Sequence, residues 1–227
     1  MPPRLVINLK GIAENTRKTI DRCSASGVEV VGVTKGVSGS PPVAKAMVEG
    51  GIRTLGDSRL KNIGRMREAG LAQPMMLIRS PAPSEVEETV RLSDASLNVD
   101  VGVLQALSEQ ALKAGKKHEA LLMADLDTGR EGIVPSDLPG VIREVLALKG
   151  LKLRGLGVYF DMKSEDERHR PLILRLVRLA QDLGKEFNTP LSFPVVREVN
   201  VLVSNSSRSQ TAASATGVSP PIIFSHE

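Results

Sequence analysis

Residues 28–39 read VEVVGVTKGVSG. Val28 to Val33 is rich in β-branched valine, which suits a buried strand better than a helix. The run then stops on Thr34, a lysine and two glycines. Lys35 is the only ionisable side chain between Glu29 and Lys45. A strand built for burial that ends on an amine sets that amine at one end of a sheet.

Similar short apolar runs alternate with helix-length amphipathic segments along most of the 227 residues. The pattern predicts strands at Leu5–Leu9, Val28–Thr34, Ile52–Leu55, Pro74–Ile78, Ala95–Val99, Ala120–Asp125, Leu151–Tyr159 and Leu191–Val196. Helices are expected near 11–25, 42–50, 59–69, 84–92, 101–115, 138–148 and 171–187. Parallel strands need a crossover between them, and a helix supplies it with a right-handed path. Eight such units within about 195 residues fit a closed α/β barrel better than an open sheet. The expected fold is therefore a (β/α)8 barrel of the TIM type over residues 1–196, with completeness at its C-terminal end left open. Residues 197–227, REVNVLVSNSSRSQTAASATGVSPPIIFSHE, lack a helical period and are rich in Ser, Thr and Ala. They are expected to be an irregular, loosely held tail, with room for one more strand at Val199–Val203.

Composition narrows the function classes. Hydrophobic residues make up 41% and charged residues 25%, as in ordinary globular domains. A net charge of +4, scattered basic residues and five aromatic residues argue against nucleic acid. One cysteine excludes an intrachain disulfide framework. No apolar run approaches a membrane span, and the N-terminal MPPRLVINLK reaches an expected strand at once, so a cytoplasmic setting is expected. The three histidines, His118, His169 and His226, are far apart, and no metal site is expected.

In a parallel barrel the reactive face is built from the C-terminal strand ends. Lys35 falls there. An amine walled by apolar groups is a candidate Schiff-base former, and a lysine reaching out to solvent is the alternative. Other strand ends contribute Asp57 and Ser58 in LGDSR, Arg79, Asn98, and Asp125, Asp127 and Arg130 in ADLDTGREG. Asp57 with Ser58 also suits a helix start, and 127–132 also suits an Asp/Gly turn. The Arg130 guanidinium suits a phosphate or phenolate oxygen.

Taken in order, INLKGIAENTRKTI, VVGVTKGV, GGIRTLGDSRLKNI, LMADLDTGREGI and LRGLGVYF resemble the N-terminal barrel of the alanine racemase superfamily, in its alanine/ornithine racemase branch. The resemblance implies a fold type III pyridoxal 5'-phosphate (PLP) enzyme acting at the α-carbon of an amino acid. Lys35 then matches the lysine that holds the cofactor covalently, and Arg130 the arginine that meets its phenolic oxygen. Asn205 and Ser206, in VSNSSRS, are similar to the pair that binds its phosphate. Asp57, Arg79 and Asn98 are expected to line the pocket.

The sequence departs from the family at VYFDMKSEDERHRPL, at REVNVLV, and in lacking the family's C-terminal β domain and its second-base tyrosine. Three readings follow from these departures. One is a racemase-like protein of reduced or no activity, binding an amino acid as its small-molecule partner. The second is a single-domain PLP carrier or homeostasis protein, and the third a non-catalytic barrel fragment. A monomer or a weak homodimer is expected.

Overall fold

The computed structural model describes residues 6–25, 29–127, 130–160, 169–191, 195–198 and 222–225. Its helices are α1 (Leu9–Ser24), α2 (Pro41–Glu49), α3 (Leu60–Glu68), α4 (Val86–Leu92), α5 (Val101–Lys113), α6 (Leu138–Ala147) and α7 (His169–Glu186). Its strands are β1 (Val30–Val33), β2 (Thr54–Asp57), β3 (Met75–Leu77), β4 (Ala95–Asn98), β5 (His118–Met123), β6 (Leu151–Phe160), β7 (Val195–Glu198) and β8 (Ile222–Ser225). The eight strands form one closed parallel barrel in sequence order. The expected fold class holds.

Two strand assignments shift. The run beginning at Leu5 contributes no strand among its described residues. Asn8 instead caps α1, its Oδ1 accepting the Gly11 N–H at 2.9 Å, and Val6 and Ile7 stay exposed. A side chain that satisfies a free helix N–H competes with strand pairing, and at Asn8 the cap wins. The count returns to eight because Ile222–Ser225 pairs with both β1 and β7, Val31 opposite Ile223 in one register and Val196 opposite Ile223 in the other. The boundary expected after residue 196 falls inside β7, and the segment expected to be an irregular tail supplies the closing strand. The expected strand at Val199–Val203 lies outside the described residues.

Alternation along the strands sorts the apolar residues into two layers. Val31, Val33, Met76, Ile78, Ala95, Leu97, Leu121, Met123 and Tyr159 fill the barrel interior. Val30, Leu55, Met75 and Leu77 face α2 and α3, while Ala120, Leu122, Leu153 and Leu156 face α5, α6 and α7. At about 25 cal/mol per Å² of apolar surface, each of the buried Val, Leu, Ile and Met side chains contributes roughly 1.5–3 kcal/mol.

β6 breaks this alternation once. Its register against β5 jumps from Ala120 opposite Leu153 to Leu121 opposite Gly155, which leaves Arg154 as a bulge. Leu151 and Leu153 face the helices before the bulge, and Leu156 and Val158 face them after it. The change of parity turns Tyr159 into the barrel interior. Arg154 itself joins a charged floor at the opposite end from Lys35. It donates to Glu119 Oε2 at 3.3 Å and, across the barrel, to Glu29 Oε2 at 3.0 Å, while Lys152 donates to Glu119 Oε1 at 2.8 Å.

His118 opens β5 with a fully buried ring whose Nε2 lies 2.8 Å from Ser96 Oγ. Burial, with the nearby Lys116 charge, pushes its imidazole down from 6.5 to about 4. The unfolded chain therefore takes up a proton that the folded chain refuses. The contribution is full above pH 6.5 and is lost as the pH falls toward 4, by about 3 kcal/mol at the acid end. Denaturant melts of wild type and His118→Gln across that window should show the acid-side slope flattened in the variant.

Candidate functional site

The end of β1 is held by a buried acid. Thr34 makes the last ladder bond to β2, its N–H donating to Gly56 O at 2.9 Å. Its hydroxyl donates to Asp57 Oδ2 at 2.8 Å. The other Asp57 oxygen accepts the Arg59 N–H at 2.9 Å and Asn62 Nδ2 at 3.0 Å. Both Thr34 and Asp57 are fully buried. Carboxylate oxygens that accept several donors keep most of the hydrogen bonding lost with water.

Directly after Thr34 comes Lys35, half-buried, which starts a single 3-10 turn, Lys35–Val37. The turn closes back on Thr34, whose carbonyl accepts N–H groups from Val37 at 3.1 Å and Gly39 at 3.0 Å. Ser38 and Gly39 follow in left-handed backbone, φ 52° and 64°. Gly39 is required twice over, since a Cβ there would lie 2.6 Å from Asn62 Cβ. Arg65 adds a bond to Ser38 O. The lysine thus stands on a turn anchored from β2 and from α3.

The expected pocket-lining residues separate. Asp57 points away from the barrel axis, on the same strand face as Leu55, and holds the lysine turn from behind. Its reading as a helix cap does not hold, because Arg59 takes the N-cap position of α3 and the Asp57 bond to the Arg59 N–H closes a turn ahead of the helix. Asn98 also lies on the helix-facing side, because Ala95 and Leu97 take the inward positions. Its amide donates to Ser96 O at 2.8 Å, and Ser96 Oγ donates to its Oδ1 at 3.2 Å. These bonds hold the Asn98 side chain against Ser96 on that side of the strand. Arg79 lies just past β3 in a fork with Glu85, at 2.7 Å on both arms, and donates to Ser58 O at 2.6 Å. The Glu85 hydrogen bond raises the guanidinium pKa further, and the same bond lowers that of the Glu85 carboxyl. Arg79 therefore braces the rim with its charge already balanced.

Arg130 is different. Its guanidinium carbon sits 5.1 Å from the centroid of the Tyr159 ring, within cation–π range. Tyr159 is nine-tenths buried, and burial pushes its hydroxyl above the usual tyrosine range, with the Glu131 charge adding and Arg130 offsetting. The loop carrying Arg130 is stitched back onto the end of β5. Ile133 donates to Met123 O at 2.7 Å and accepts from the Asp125 N–H at 2.9 Å. Gly132 closes that return, because a Cβ would lie 2.5 Å from Asp125 N. Asp127 accepts from Arg175 of α7 at 3.0 Å.

Sequence alternation alone missed Tyr159. The three-residue step between the outward Leu153 and Leu156 was the available sign of a bulge. Asn205 and Ser206 lie outside the described residues. Among the described residues, no group of three His, Cys, Asp or Glu side chains could hold a metal ion, and no helix is long and apolar enough to cross a membrane.

Fold and mouth together define a parallel α/β barrel that presents a lysine from β1 and an arginine stacked on an aromatic ring. The chain belongs to the family described as alanine racemase, N-terminal domain, whose sequence model matches residues 7–192. It is 36% identical over 158 residues to a lysine racemase of Thermotoga maritima, covering 70% of this chain and 44% of that one. It is 28% identical over 197 residues to an ornithine racemase of Acetoanaerobium sticklandii, covering 86% and 55%. The chain thus spans about half the length of these racemases. PipY of Synechococcus elongatus, solved with PLP bound, superposes with a TM-score of 0.77 at 16% identity over 95% of this chain and 97% of its own.

Pyridoxal phosphate is the cofactor this family implies, and the donor set can be tested against it. An aldehyde needs an amine, and Lys35 supplies one at a strand end. A phenolate oxygen needs a fixed cation, and Arg130 supplies one beside a flat ring wall. The residues present fit the aldehyde and ring ends of the group.

The Gly132 contact carries a direct consequence. Gly132→Ala should lower stability by about 1–3 kcal/mol through backbone overpacking, read as a shifted denaturant midpoint. It should also loosen Arg130 from Tyr159, read as increased Tyr159 fluorescence quenching by added iodide.

Proposed function

We propose that the chain binds PLP through Lys35 and works on the α-carbon of an amino acid, as a racemase-like protein. The observation carrying this reading is the anchored Lys35 turn at the barrel end that also bears Arg130 stacked on Tyr159. Arg130 would balance the cofactor's phenolic oxygen, Tyr159 would wall its ring, and Asn205 and Ser206 remain the candidates for its phosphate. When bound, the group supplies an aldehyde that condenses with amines and a ring that draws electron density from the α-carbon.

The chain's own part is proton handling. Lys35 Nζ would take the proton from the substrate Cα and return it. Arg130 orients negative oxygen at the mouth. Tyr159 is the chain's single tyrosine, and burial pushes its hydroxyl above the usual tyrosine range, which suits a ring wall better than a second base. Reduced racemisation, or none, is the outcome expected of this chain by itself. The two racemase relatives point to lysine and ornithine, and the family description to alanine, as the substrates to try. A cytoplasmic setting accompanies the reading. A second reading, a PLP carrier without turnover, is favoured by the end-to-end match to PipY.

Added PLP should give a visible absorbance band that borohydride traps on Lys35 and that Lys35→Ala abolishes. A folded protein that shows no band sinks both readings. With the band present, both enantiomers of ornithine, lysine and alanine are followed by polarimetry. Turnover selects the racemase, and intact binding without turnover selects the carrier.

A further inference from the structure

A lysine side chain has four rotatable carbons, and a protein can aim it only by fixing the backbone from which it starts. Here that backbone is Thr34, at φ −109° and ψ 3°, which is neither strand nor helix. Its N–H is held by Gly56 O and its carbonyl by the Val37 and Gly39 N–H groups. Its hydroxyl is held by Asp57, whose second oxygen is fixed from α3 and its entry by Asn62 and Arg59. The remaining contacts of the Thr34 hydroxyl, Gly56 O at 3.3 Å and Met66 Sδ at 3.6 Å, are longer and weaker.

We propose that Asp57, acting through the Thr34 hydroxyl, is the positioning residue that aims the Lys35 amine at the barrel mouth. The inference deepens the assignment of Lys35 as the cofactor-bearing amine and takes its chemical significance from it. If the hydroxyl is removed, Asp57 Oδ2 loses its short donor in a fully buried site. A buried acceptor left without a partner is costly, and the cheapest relief is for the strand end to shift and let another donor in. Lys35 is the next residue, so it moves with that shift. A displacement of about 1 Å at a reacting group can cost on the order of 100-fold in rate.

The test uses the full chain as wild type, Thr34→Val, Thr34→Ser and Asp57→Asn, with folding checked by circular dichroism and thermal melting. The first readout needs no cofactor. Reductive methylation with formaldehyde and cyanoborohydride is followed by mass spectrometry, taking Lys35 relative to the exposed Lys45 of the same chain. The second is the rate at which borohydride-trapped PLP accumulates on Lys35. Thr34→Val and Asp57→Asn should change the methylation ratio about threefold or more and slow PLP trapping about tenfold. Thr34→Ser, which keeps the hydroxyl, should restore the wild-type ratio; a purely structural loss of packing would not be rescued this way. Folded Thr34→Val with the wild-type ratio overturns the proposal, and if that variant does not fold, a wild-type ratio in Asp57→Asn overturns it equally. Shifted ratios in the variants, beside a wild-type chain that never traps PLP, leave the positioning role standing and remove the cofactor assignment.

Discussion

One buried carboxylate ties together the parts that matter at this barrel's mouth. Asp57 takes a hydroxyl from the end of β1, an amide from α3 and a backbone N–H from the turn between β2 and α3. Three separately formed pieces of chain therefore meet on two oxygens. Hydrogen bonds to a charged acceptor are each worth about 1.5–3 kcal/mol, more than an ordinary neutral bond, and burial removes the competing water. The geometry of the Lys35 turn follows from this junction: a 3-10 start, two left-handed residues, and a glycine pressed against Asn62.

Much of the barrel was legible because its periodicities are local. The seven helices fall within a few residues of the segments chosen by amphipathic spacing, and seven of the eight observed strands have a predicted counterpart that overlaps them. The failures were at the two ends of the chain, where local signals compete. LVIN reads as strand by alternation, yet the short polar side chain of Asn8 caps a helix. IIFS falls within the Ser-rich stretch expected to be tail, yet its backbone pairs with both β7 and β1. Long-range closure of a ring leaves no local mark on the strand that performs it.

The mouth was partly legible for the same reason. Lys35 stood out because it is a lone charge after a valine-rich run. Asp57 and Asn98 were rightly seen as polar residues at strand ends, but their facing depends on which neighbour alternation sends inward. Leu55 and Asp57 share the helix side, and so do Ser96 and Asn98. Both polar residues became internal fasteners for that reason. Tyr159 went the other way. Only the extra residue at Arg154 brings its ring inside, and an insertion in a strand is invisible until the partner strand is known.

That same extra residue shapes the far end of the molecule. With Arg154 squeezed out of the ladder, its guanidinium is free to reach from the sixth stave to Glu29 at the foot of the first, spanning the seam that β7 and β8 fill. The ring consequently has two hoops of unlike character: a girdle of backbone bonds, and a strap of opposite charges at its base. Ions in the medium weaken the strap, whose members are partly wetted, and leave the girdle nearly untouched. The base of this cask thus tightens in dilute buffer and relaxes in brine.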